Sequence, residues 1–261
     1  MAVLWLKVLL APSLIAAVTL AGRRWGATVA GVLVGLPLIS APVVFVLAVE
    51  HGTTFGAQSA VGVLIGLVPL ATFYLVYGLL APRHNWPACA AAAWCGYAVV
   101  ALALRDVTLG PAPAFAAALA FLVLVIRLLP GPSDGIPSPP APWWDIPLRM
   151  MTATAVVLTL TGLARTLGPR VSGLLAPFPV NGAVLSIFTQ QLEGAPAAGR
   201  LIRGMVLASF TFAVFFLVLA ERLDRWGTAA AFGVATALAV VIHGALLGIP
   251  SIRAARSSSA G

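Results

Sequence analysis

Nine apolar stretches, separated by short polar or Pro/Gly-rich breaks, set the strongest constraint on this chain. They fall at roughly 2–21, 27–49, 57–81, 86–104, 112–129, 147–165, 171–191, 199–220 and 227–248. A helix needs about 20 apolar residues to cross a bilayer core. Lipid offers no partner for backbone N–H and C=O groups, so each span must pair its own, which a helix does. Composition agrees. The chain is 61% hydrophobic and 8% charged, whereas soluble domains carry about 25% charged residues. These features predict an all-α, polytopic integral membrane protein with about nine transmembrane helices, its main partner the lipid bilayer. Met1–Ala21 has one early charge, Lys7, and reads as the first span rather than as a cleaved leader.

The net charge of +8 does not point to nucleic acid, because the cations are scattered singly or in pairs through short loops. Loop arginine suits membrane insertion. Cys89 and Cys95 lie in one apolar stretch, six residues apart, and read as small fillers rather than as a disulfide. The longest loop, 130–146, is rich in Pro, Gly and Ser and ends in Trp143 and Trp144, suited to an interface. The basic tail 251–261 reads as disordered.

The chain also repeats itself. Residues 23–37 (RRWGATVAGVLVGLP) and 165–179 (RTLGPRVSGLLAPFP) share six identities at a constant offset of 142. The same offset pairs Lys7 with Arg149, Gly52 with Gly194, Gly62 with Gly204, ATFYLV (71–76) with AVFFLV (213–218), and Arg83 with Arg225. Spans 1–4 therefore match spans 6–9, and span 5 stands alone. The expected plan is 4+1+4: a first four-helix unit (1–106), a linker helix with the Pro-rich loop (107–146), a second unit (147–250) and the tail. If span 5 crosses, the units enter from opposite sides, the inverted-repeat plan of many secondary transporters. If it lies on the interface, the units are parallel. Counting positive charges separates these weakly: nine of the fifteen Lys and Arg fall on one side and six on the other.

The stretches LKVLLAPSLIAAVTL, VAGVLVGLPLISAPVVFVLAVEHG and GLVPLATFYLVYGLL resemble the GlpM-like family of small bacterial inner-membrane proteins. The likeness rests on the early Lys, the AG…P pattern of span 2, the Glu50-His51-Gly52 turn and the aromatic third span. The second half departs from it, with Leu192 and Glu193 opposite Glu50 and His51. The resemblance implies two such units fused, an inner-membrane location and a link to envelope or exopolysaccharide production. It implies no mechanism and no site residues.

Spans 2 and 7 hold the candidate site. GLPLISAP (35–42) and APFPVNGA (176–183) place Pro37 and Pro179 near mid-span, with second breaks at Pro42 and Pro177. Proline removes a helical hydrogen bond, and freed backbone groups at membrane depth are tolerated where they are buried or line a cavity. Corresponding broken helices in two halves point to a transporter pathway. Ser40, Asn181 and Gly182 add polar or open character. Lys7 and Arg149 are matched cations near span starts, suited to an anionic substrate or to snorkelling. Glu50, His51, Glu193 and His243 are candidate proton-coupling groups. His243 reads more simply as a neutral imidazole on a neighbouring carbonyl.

No metal cluster, nucleotide loop or Ser–His–Asp set stands out, so neither enzyme activity nor a cofactor is expected. The expected function is a bacterial membrane transporter or flippase with its pathway between the halves, for an anionic or lipid-linked envelope intermediate. The alternative is a non-transporting subunit that supports envelope or exopolysaccharide assembly beside other envelope-biosynthesis proteins.

Overall fold

The computed structural model describes residues 2–34, 37, 40–131, 142–155 and 179–248, and only the backbone over 2–11. The described residues are all helix and connection, with no strand. The helices are α1 (Ala2–Trp25), α2 (Ala27–Val34), α3 (Ser40–His51), α4 (Thr53–Leu80), α5 (Trp86–Leu104), α6 (Pro111–Leu128), α7 (145–155), α8 (Val180–Glu193) and α9 (Ala195–Gly248). Gly227, at φ 73° and ψ 170°, breaks α9 into two arms. Four helices are long and apolar enough to cross a membrane: α4, α5, α6 and α9. The protein is a helical membrane protein by length and composition.

Local chemistry explains several boundaries. Asn85 caps α5 through its side-chain oxygen, which accepts from the Ala88 amide at 3.4 Å, and Pro87 sits where its missing N–H costs nothing. Gly110 precedes the proline-rich first turn of α6. α3 meets α4 at Gly52 (φ 92°, ψ 160°), and α8 meets α9 at Gly194 (φ 86°, ψ 172°). Side-chain-bearing residues rarely adopt that backbone region, so glycine is required at both junctions. The span expected at 27–49 is two helices, α2 and α3, with Pro37 between them outside helical geometry. α4 begins at Thr53, earlier than its apolar pattern suggests, since Gly52 sets the turn.

Two ends of the bundle can be named by their polar contacts. At one end Arg23 meets Asp145, and Gln190 donates to the carbonyls of Ala81 and His84. At the other, Thr54 donates to Asp224 at 3.1 Å. α4 and the first arm of α9 run antiparallel between them. Gly56 abuts Leu223, and Gly78 lies against Ile202. α6 packs along both helices. Ala114 and Ala118 join the core of Leu64, Phe216 and Leu219, while Leu122 and Val125 join that of Tyr77, Leu185 and Ile202. α6 therefore runs the length of the bundle. Arg203 closes its C-terminus by donating to the carbonyls of Leu129 and Pro130, each at 3.3 Å.

Burial follows the sequence offset. On α5 the buried stripe is Cys89, Ala93, Tyr97 and Ala101; adding 142 to each gives Ala231, Ala235, Ala239 and His243, all buried on the second arm of α9. Buried Phe73, Tyr74 and Tyr77 on α4 map likewise onto buried Phe215, Phe216 and Leu219.

α2 crosses the first arm of α9 at a glycine pair. A Cβ on Gly31 would strike the Leu201 carbonyl, and one on Gly204 would strike that of Thr28 and stand 3.0 Å from the Gly31 Cα. Only glycine on both helices allows this approach.

Candidate functional site

Pro37 and Pro179 are both buried, and both open a helix instead of kinking one. The Pro37 carbonyl accepts from the Ala41 amide at 2.9 Å, and the Pro179 carbonyl accepts from the Ala183 amide at 2.8 Å. The bonds are the same and the offset is again 142. As helix openers the prolines leave no donor missing. What each break frees is the set of first-turn amides, the positive end of the helix. No side chain caps α8.

The two half-helices point to opposite ends of the bundle. α3 has twelve residues and rises about 18 Å toward the Asp224 end, where the His51 ring meets Phe55 at 5.1 Å. α8 has fourteen and rises about 21 Å toward the Asp145 end. Both therefore start deep in the bundle.

The remaining candidates sort by position. Asn181 is buried at 8% exposure, and its Oδ1 has no hydrogen-bond partner among the described residues. Gly182 faces Tyr74, whose Oη would lie 3.2 Å from an added Cβ. Ser40 and Pro42 are half-buried in the first turn of α3. Pro177 lies outside the described residues, as does the side chain of Lys7 on α1.

Arg149 does not face an open vestibule. Its side chain is 3% exposed, and its Nε donates to Asp145 Oδ1 at 2.6 Å. Arg23 donates to the other oxygen, Oδ2, at 2.8 Å. The Arg149 guanidinium also lies 5.2 Å from the centroid of the Phe188 ring. Burial forces this arrangement, since an unpaired buried cation is costly. Asp145, placed by the sequence at the end of the Pro-rich loop, is the first residue of α7 and the centre of this cluster. The i,i+4 spacing of Asp145 and Arg149 was a readable signal; Arg23, 122 residues away, had none.

Glu50 and His51 are exposed at the end of α3. Glu193 is exposed as a residue, yet protein around its carboxyl strips enough water to raise its proton affinity. Arg149 opposes that rise, Asp145 adds to it, and Arg200 and Arg23 oppose it. His243 lies within hydrogen-bond distance of the Val32 carbonyl, Nε2 to O 2.8 Å. Val32 lies on α2. His243 thus ties the second arm of α9 to α2 across 211 residues.

Among the described residues no group of His, Cys, Asp and Glu could hold a metal. A shallow cavity lies apart from the breaks, at the Asp145 end, between Gly78, Pro82, Leu129, Ala195 and Arg200.

No family model matches the chain, and no curated protein or solved structure does.

Proposed function

We propose that the protein is a membrane transporter or flippase built from two inverted four-helix units joined by α6, with its pathway at the two helix openings. The observation that carries this reading is the matched pair at Pro37 and Pro179: buried, identically bonded, and launching half-helices toward opposite ends. Broken helices with dipole ends deep in the membrane are how secondary transporters build sites from backbone. The antiparallel run of α4 and α9 and the 142-residue offset in burial support the inverted duplication. α6, running end to end, supplies the extra crossing that such a plan needs.

Seven arginines lie at the Asp145 end (Arg23, Arg24, Arg83, Arg127, Arg149, Arg200 and Arg203) and three at the Asp224 end (Arg105, Arg222 and Arg225) among the described residues. Positive charge favours the cytoplasm, so the Asp145 end is assigned there. The GlpM-like resemblance points to the bacterial inner membrane and to envelope or exopolysaccharide production, and the positive ends of the half-helices suit an anionic or lipid-linked envelope intermediate as substrate class.

Paired topology reporters at Arg24 and Arg165 test the architecture. Opposite sides are expected; the same side would remove the inverted plan. Thiols at Ser40 and Asn181, in a chain with Cys89 and Cys95 replaced by Ala, test transport. Alternating access labels each from both membrane faces. Labelling from one face only would sink the transport reading and favour the non-transporting subunit, which a stable partner in mild detergent would identify.

A further inference from the structure

The cavity at the Asp145 end lies where three candidate spans stop. Its walls are Gly78 and Pro82 at the end of α4, Leu129 and Pro130 at the end of α6, and Gly199 and Arg200 in the first two turns of α9. A site at the ends of spanning helices stands at headgroup depth rather than in the hydrocarbon. Trp143 and Trp144, both exposed beside Asp145, suit the same interface.

The walls are apolar or backbone, and the charge around them is positive. Arg200 lines the cavity itself. The Arg203 guanidinium donates to the carbonyls of Leu129 and Pro130, each at 3.3 Å, so it stands against the same wall. Arg83 follows Pro82 and is exposed. Glu193 senses Arg200, but it senses Arg149 and Arg23 as well, so the corner stays positive. Arginine clusters of this kind recognise phosphate. The volume is about 200 Å³, below the roughly 300–1,000 Å³ of a drug-sized cleft, which suits a headgroup and excludes a larger solute.

The flank of the cavity separates a lipid from a free anion. Leu79 and Leu128 each adjoin a wall residue in sequence, and both are exposed. Leu124, one turn before Leu128 on α6, is exposed too. An acyl chain would find an apolar surface leading away from the cations, which inorganic phosphate could not use. Basic pockets between helix ends at the cytoplasmic face hold anionic lipids in this way.

We infer that this cavity binds the headgroup of an anionic phospholipid, its phosphate at Arg200 and one acyl chain along Leu124 and Leu128. The inference does not rest on transport, and the breaks at Pro37 and Pro179 take no part in it.

Native mass spectrometry of the full chain, titrated with lipid in a neutral detergent, tests it. Phosphatidylglycerol should bind several-fold more tightly than phosphatidylcholine, whose choline the arginines repel. Arg200→Gln should remove most of that preference. Gly199→Leu keeps every charge and fills the cavity; an added Cβ there meets nothing within 4 Å, so the variant should fold. It should weaken phosphatidylglycerol about tenfold, whereas Gly62→Leu, equally open and remote from the cavity, should not. Equal binding of the two lipids would overturn the inference. So would parental binding by Gly199→Leu, which would leave only diffuse charge attraction. Displacement of the lipid by millimolar inorganic phosphate would assign the site to a free anion and overturn it as well. None of these results alters the labelling from two faces expected at Ser40 and Asn181.

Discussion

Gly62 and Gly204 are equivalent in sequence, 204 − 62 = 142, and the same substitution should act on them with opposite sign. A Cβ on Gly204 runs into the Thr28 carbonyl and the Gly31 Cα, both backbone, so no side chain can swing aside. α2 must back away from α9. A radial gap of about 0.5–1 Å forfeits roughly a quarter to a half of each dispersion contact, and Val29, Ala30 and Val32 are all buried on α2. Overpacking of this kind costs about 1–3 kcal/mol. At about 2–4 °C per kcal/mol for a chain of this size, Gly204→Ala should lower the melting midpoint in detergent by about 2–12 °C. Gly62 has no atom within 4 Å of an added Cβ. There the gain in helix propensity, up to about 1 kcal/mol, is unopposed, so Gly62→Ala should leave the midpoint level or raise it. Fluorescence-detected size exclusion after a temperature series reads both. Gly204→Ala as stable as the parent would refute the close crossing of α2 and α9.

Three other substitutions follow from the polar contacts. Asp145→Asn leaves Arg149 buried beside a neutral amide and should cost about 3–5 kcal/mol, seen as a lower folded yield; Asp145→Leu with Arg149→Met should recover much of it. His243→Leu should destabilise by about 0.5–1.5 kcal/mol by removing the hydrogen bond to the Val32 carbonyl, while His243→Gln, which keeps a donor, should cost less in the same thermal assay. Because the Glu193 carboxyl has a raised proton affinity when folded, the folded state holds its proton more tightly than the unfolded chain does. Stability then falls as pH rises from the ordinary carboxylate range through the folded value. Glu193→Gln should flatten that fall in a pH series of melting midpoints. The effect should be small because the residue is exposed.

Much of the fold was legible because spans announce themselves by length and apolarity, and because Gly52, Gly194 and Gly227 punctuate them where the backbone turns. The break at Pro37 was legible too, though not its form: the proline opens α3 instead of bending one long helix. The contacts that order the site were not. Arg23–Asp145, His243–Val32 and Gln190–Ala81 join residues 122, 211 and 109 positions apart, and no local pattern carries such pairings.

The ion cluster changes what an anionic substrate would meet. The sequence offered Lys7 and Arg149 as matched cations, but Arg149 already has a carboxylate on its Nε and a ring beneath it. Asp145 also holds Arg23, so that end of the bundle spends its buried charge on joining α1 to α7. What stays available at the α8 break is the helix end itself, worth about half a positive charge in a medium of low dielectric, with Asn181 at its rim. A site of that kind would orient an anionic group through backbone amides and hold it only moderately, as a pathway requires. Removing Arg149 together with its partner should therefore change stability but leave substrate preference intact, whereas a side chain that crowds the first turn of α8, such as Gly182→Val, should abolish binding. Loss of anion preference in a folded variant lacking both Asp145 and Arg149 would return the role to the cation.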